Sequence, residues 1–156
     1  MMDRSDPPPP LPRVGEGKRG EAGYLGYLLR QAAGAQRHRM ERALAGLAVT
    51  PPQFAVLTML AADPGVSGAD LARLALLTPQ TVGVIVANLE RAGALARRRH
   101  AVHGRILRLE LTAHGRALLE QARAKVHVLE AELGAGLSDA EARAVRRWLV
   151  GVAAAT

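Results

Sequence analysis

A Ser or Thr stands directly before an apolar helical run at Thr50, Ser67, Thr78, Thr112 and Ser138, and these positions divide the chain into separate helices. A hydroxyl at that place accepts a hydrogen bond from a backbone N–H that the first helical turn leaves open. Gln53, three residues after Thr50, and Glu141, three after Ser138, complete capping boxes. Pro51 and Pro79 fall at the first helical position, where a missing N–H costs nothing, and Asp70 sits third after Ser67.

The spacing between these caps fills in the rest. Leu25, Leu28, Leu29, Ala32, Met40, Ala43, Leu44 and Leu47 recur at helical intervals and predict a long amphipathic first helix. Phe54, Val56, Leu57 and Leu60 follow Thr50, and "ADPG" at 62–65 closes that helix. Leu71 and Leu74 belong to a short helix after Ser67. The next helix presents Val82, Ile85, Val86 and Leu89 on one face, and Gly93 is placed to end it in the left-handed conformation. Only "LLT" separates these last two, the pattern of a helix-turn-helix.

After Gly93 the period changes from helical to alternating. Ile106 to Leu111 reads as a strand, and Leu95 to Arg98 can pair with it across "HAVHG" as a hairpin. Leu118, Ala122, Val126, Leu129 and Leu133 then predict a long helix, and Val145, Leu149 and Val152 a final one. The fold class expected is mainly α with one two-stranded hairpin. The first and last helices have too little within one chain to cover their apolar faces, so they are expected to pack together and against a second subunit.

Charge singles out the hairpin. Lys and Arg outnumber Asp and Glu by 21 to 14, a net charge of +7, and almost all the cations are Arg. Arg97, Arg98, Arg99, Arg105 and Arg108 fall in one stretch with His100 and His103, and no acid appears before Glu110. Such a cluster repels itself unless an anion lies nearby. A phosphate backbone, an acidic protein or an anionic membrane would each serve, and a merely solvated charged hairpin is the alternative. His100 and His103 have the spacing of a loop metal pair, but no Cys or carboxylate lies close enough in sequence to complete a zinc site, so no metal and no cofactor is expected.

Other classes find little support. The chain has no cysteine, which excludes disulfides and thiolate chemistry. No base stands beside a nucleophile, no glycine-rich phosphate loop occurs, and no enzymatic activity is expected. No apolar run reaches the roughly 18 residues of a membrane span, and the N-terminus lacks the apolar core of a signal peptide, so a cytoplasmic protein without a membrane partner is expected. Residues 1–20, with Pro7 to Pro10, Pro12, Gly15, Gly17 and Gly20, are expected to form a disordered tail, with a polyproline ligand as the alternative.

The succession "LTPQTVGVIVANLERAG", "LARRRHAVHGRILRLELTAHGRALL" and the earlier "VTPPQFAVL" resembles the MarR family of bacterial transcription regulators, from about Tyr24 to the end. The resemblance implies a homodimer in which a winged helix-turn-helix region, residues 49–112, binds double-stranded DNA at a pseudo-palindromic operator. Residues 21–48 and 113–156 would form the helical dimerisation region. It also implies that Arg105 is the wing-tip arginine entering a minor groove, with Arg97, Arg98 and Arg99 on phosphates. Thr78, Gln80, Thr81, Gly83, Val84 and Asn88 would face the major groove, Gln80 and Asn88 toward base edges and Val84 toward a thymine methyl.

Two positions depart from the family pattern. Gly83 and Val84 stand where the family often has Ser or Thr followed by Arg, and His103 replaces the usual Asp two residues before the wing arginine, exchanging a fixed anion for a titratable group. Relatives commonly bind small aromatic acids, and Tyr24, Tyr27 and Arg30 are spaced to offer rings and a guanidinium to such an effector; the plainer reading is a Tyr and Arg at the edge of a dimer core. The function expected is a dimeric repressor released by a small ligand. The alternative is a DNA architectural or protein-interaction module of the same fold without a ligand.

Overall fold

The computed structural model describes residues 10–99 and 107–155, in two compact units, Met1–His38 and Arg39–Thr156. The first unit holds a 3₁₀ turn, Gly17–Arg19, and the start of helix α1 (Leu25–Leu44). Local order here extends into the segment expected to be a tail: the Arg19 guanidinium donates to the Pro12 carbonyl and the Arg13 N–H to the Glu16 carboxylate, each at 2.8 Å. Gly15 and Gly17 supply positive φ angles of 93° and 49°. Glycine and proline here accompany a tight local turn.

The second unit takes in the end of α1, a 3₁₀ turn at Ala45–Leu47, α2 (Pro51–Ala62), α3 (Gly68–Ala75), α4 (Pro79–Arg91), strands β1 (Leu95–Arg99) and β2 (Leu107–Leu111), α5 (Ala113–Gly134) and α6 (Asp139–Ala154). Each anticipated cap is made: Thr50, Ser67, Thr78, Thr112 and Ser138 accept from the N–H three residues on, at 3.0 to 3.3 Å. Both capping boxes close, with the Thr50 N–H donating to Gln53 and the Ser138 N–H to Glu141. The hydroxyls of Ser67 and Ser138 also donate to Asp70 and Glu141 and hold these carboxyls below their ordinary pKa, aided at Asp70 by Arg73. A lowered carboxylate pKa stabilises the fold above its unfolded value, and that support is lost as pH falls through the folded one.

α2 is central because apolar side chains surround it. Val56, Leu57 and Leu60 join Leu71 and Ala72 of α3, Val82, Ile85, Val86 and Leu89 of α4, Leu95, Leu109 and Leu111 of the hairpin and Leu119 of α5 in one core. The helical face anticipated for α4 is buried in full. On α5 the deepest residues are Ala122 and Leu119, at 0% and 1% exposure, while Leu118 is half-buried and Leu133 is 52% exposed. A smaller cluster of Leu44, Ala122 and Val126 gathers Met40 and Leu47, and Phe54 touches both clusters. α6 buries none of its residues: Val145, Trp148, Leu149 and Val152 are each 41 to 42% exposed.

The hairpin root is fastened to α5 through backbone. The Thr112 hydroxyl donates to the Gly93 carbonyl at 2.6 Å and the Thr112 N–H to the Ala94 carbonyl at 3.1 Å. Gly115 lies so close that a Cβ there would overlap the Ala94 carbonyl. Backbone cannot yield as a side-chain tip can, so Gly115→Ala should cost about 1 to 3 kcal/mol. A lower urea midpoint with an unchanged slope checks this, and an unaltered midpoint would refute the contact.

Candidate nucleic-acid interface

α3 and α4 meet at 110°, joined by Leu76 to Thr78, with Leu76 in the left-handed conformation at φ 53°. With one face of α4 buried, the opposite face is fixed by the helical period. It exposes Thr78, Gln80, Thr81, Gly83, Val84, Ala87, Asn88 and Arg91. The structure therefore places all six α4-region residues expected at a groove on one solvent-facing stripe. Thr78 and Thr81 have a further task, since their hydroxyls lie 2.8 Å apart and Thr78 caps the helix. Val84 is 57% exposed, an apolar side chain turned mostly to solvent. Gly83, Val84 and Ala87 leave the middle of the stripe uncharged, with open space at Gly83.

The hairpin is antiparallel, pairing Leu95 with Leu111, Arg97 with Leu109, Arg98 with Arg108 and Arg99 with Leu107. Strand alternation sends Leu95, Leu109 and Leu111 into the core and separates the arginines by environment. Arg97 lies against the last turn of α4, its Nε donating to Glu90 Oε1 at 2.8 Å. Arg98 stands opposite Arg108, a like-charged cross-strand pair eased by Glu110, whose Oε2 is 3.2 Å from the Arg98 Nε. Arg99 makes no ion pair among the described residues. His100, His103 and Arg105 lie outside the described residues.

Residue spacing alone did not assign Arg91, Arg108 or Glu90. Arg91 continues the stripe of Gln80, Val84 and Asn88 by one more turn, a signal the helical period carries. Glu90 gives none, because its partner Arg97 is brought to it only by the turn at Gly93.

Tyr24 is 84% exposed, and Tyr27 and Arg30 are adjacent, the guanidinium carbon 5.9 Å from the ring centroid. Two concavities lie in the second unit. One, about 580 Å³, is lined by Glu41, Ala45, Ala48, Val49, Thr50, Pro51 and Pro52. The other, about 340 Å³, lies between α2, β2 and α5, with Leu60, Ala61, Leu111 and Leu119 beside Arg116 and Arg123. Tyr24, Tyr27 and Arg30 line neither. Among the described residues no group of His, Asp or Glu could hold a metal ion, and no single helix is long and apolar enough to cross a membrane.

This geometry has known counterparts. A sequence profile of the MarR family matches residues 49–106. The HTH-type transcriptional repressor Rv2887 of Mycobacterium tuberculosis is 42% identical over 125 residues, spanning 80% of this chain and 90% of the relative. The chain belongs to the MarR family. Two crystal structures of the Mycobacterium tuberculosis MarR family protein Rv2887 superpose on it. The complex with DNA gives a TM-score of 0.66 at 37% identity over 83% of this chain and 97% of that one. The complex with salicylic acid gives 0.68 at 40% identity over 83% and 96%. The expected winged helix-turn-helix is thus the fold observed: the MarR profile spans α2 through β1, and its wing is the β1–β2 hairpin.

As a MarR family member the chain owes its cationic wing to arginines that differ in their commitments. Arg97 is already neutralised by Glu90, whereas Arg99 has no such partner among the described residues. In duplex-DNA titrations, Arg99→Ala should reduce the slope of log affinity against log salt by about one, as expected for one lost phosphate contact. Arg97→Ala should leave that slope nearly unchanged. Equal slope changes in the two variants would show that Glu90 releases Arg97 on binding.

Proposed function

We propose that the chain is a homodimeric transcriptional repressor that binds a pseudo-palindromic operator through α4 and the wing and is released by a small aromatic acid. The observation that carries this reading is the coincidence of an exposed polar stripe on α4 with an arginine-rich hairpin anchored to the same helix. The similarity to Rv2887, a repressor with structures in complex with DNA and with salicylic acid, supports it. Thr78, Gln80, Thr81, Gly83, Val84 and Asn88 are assigned to the major groove; of the wing arginines Arg97, Arg98 and Arg99, the last two are assigned to the DNA backbone, and Arg97, held by Glu90, stands beside them without a phosphate of its own. His103 and Arg105 are assigned to the wing tip on the family pattern. In a bacterial cell such a regulator works in the cytoplasm, and no enzymatic step is part of it.

The dimer follows from α6. Val145, Trp148, Leu149 and Val152 line a helix with no fully buried residue, each left about two-fifths exposed, and a second copy is the occupant with the same apolar surface to hide. Residues 21–48 and 113–156 are assigned to that interface. Two recognition helices related by a two-fold axis then meet successive major grooves, about 34 Å apart on the duplex. Tyr24, Tyr27 and Arg30 are the proposed effector contacts, with ring and guanidinium already adjacent in one turn of α1.

Selection of bound sequences from a random duplex pool tests the whole reading. The expected winner is a two-fold symmetric site, bound by a species that sediments as a dimer at micromolar concentration and dissociated from DNA by salicylate. Salt-dependent binding to every duplex, with no enriched site, would replace the repressor by an architectural DNA-binding protein. A folded monomer would remove the symmetric site.

A further inference from the structure

The far end of the α4 stripe carries a chemical bias that its middle lacks. Arg91 Nη1 donates to Asn88 Oδ1 at 2.9 Å, between exposed residues. A guanidinium has only donors, so the amide atom facing it must be the oxygen. Asn88 is left with its NH₂ group outward, and Arg91 keeps its remaining N–H groups. Glu90, the neighbouring acid, faces Arg97 instead, so it does not neutralise Arg91.

We propose that Asn88 and Arg91 together form a donor-rich reader that selects guanine at one position of each half-site, with Arg91 as the specificity-determining residue. Asparagine ordinarily reads adenine by accepting from N6 and donating to N7. Here one lone pair of that acceptor is taken by a cation, and the adenine amino group would approach an oxygen flanked by the guanidinium's own donors. Guanine offers two acceptors, N7 and O6, to the same edge and matches a surface of N–H groups. The position of the pair fits a base contact: Gln80, Val84, Asn88 and Arg91 follow one another along the exposed face. At about 1.5 Å per residue the stripe covers some five base pairs. Gly83 and Ala87 add little bulk beside Val84, which lets the helix lie close enough for Asn88 and the longer Arg91 to reach the same pair.

This inference rests on the operator-binding function proposed above and makes a narrower claim. Duplexes are to be selected from a random pool by the full-length wild type, Arg91→Ala, Asn88→Ala and Arg91→Lys. The winning duplex is then titrated at fixed salt with guanine, adenine or 7-deazaguanine at the position whose preference changes. The expected result is one G·C pair per half-site whose guanine preference falls about tenfold in both alanine variants. 7-Deazaguanine, which lacks the N7 acceptor, should weaken the wild type by a similar factor and Arg91→Ala hardly at all. Arg91→Lys should lose most of the preference while keeping the salt slope, since an ammonium does not present the guanidinium fork.

Two outcomes overturn the reader and leave operator binding intact. One is adenine at that position in the wild-type site. The other is an Arg91→Ala variant that weakens all duplexes equally and lowers the salt slope by about one, the behaviour of a phosphate contact. A wild type that enriches no sequence overturns the proposed function, and the guanine reader with it.

Discussion

Three elements of the DNA-binding region are held in register by the backbone of Gly93 and Ala94. The Gly93 carbonyl accepts from the Thr112 hydroxyl, the Ala94 carbonyl accepts from the Thr112 N–H, and Gly115 presses against Ala94 without a side chain between. The end of α4, the root of β1 and the first turn of α5 therefore share one joint. Short hydrogen bonds to backbone, with no long side chain to reorient, make it stiff. Each surface feature, the exposed stripe of α4 and the arginines of the hairpin, has its direction set by this joint and by the buried face of α4.

The hairpin shows how one run of like charges is made tolerable. Sequence proximity puts Arg97, Arg98 and Arg99 together, and strand geometry then distributes them. Arg97 turns to Glu90, Arg98 finds Glu110 on the neighbouring strand, and Arg99 remains uncompensated among the described residues. These exposed ion pairs contribute little to stability, of the order of 1 kcal/mol or less each. Their consequence is directional, because they decide which guanidinium groups are held against the protein and which are left for a partner.

Much of the fold was legible in the sequence, since cap hydroxyls, prolines at first helical positions and apolar periods are local signals. Thr50, Ser67, Thr78, Thr112 and Ser138 open the helices they were expected to open. The exposed face of α4 was legible for the same reason, as the complement of Val82, Ile85, Val86 and Leu89. What the sequence did not disclose depends on contacts between distant residues. Glu90 and Arg97 meet across the Gly93 turn, and Gly115 is a glycine only because of Ala94, 21 residues earlier. The contacts of Arg19 with Pro12 and of Glu16 with Arg13 are likewise beyond composition, since proline and glycine signal both loose chain and tight turn.

Phe54, the sole phenylalanine, packs against both the larger core and the cluster of Leu44, Ala122 and Val126. Its ring lies where the two clusters meet, beside the middle of the long helix α5. Loosening either cluster strips contacts from the same ring and so weakens the other. Heat or denaturant acting on the second unit should therefore meet one cooperative structure, and a disturbance at the middle of α5 has a direct apolar route to α2 and the helices that it supports.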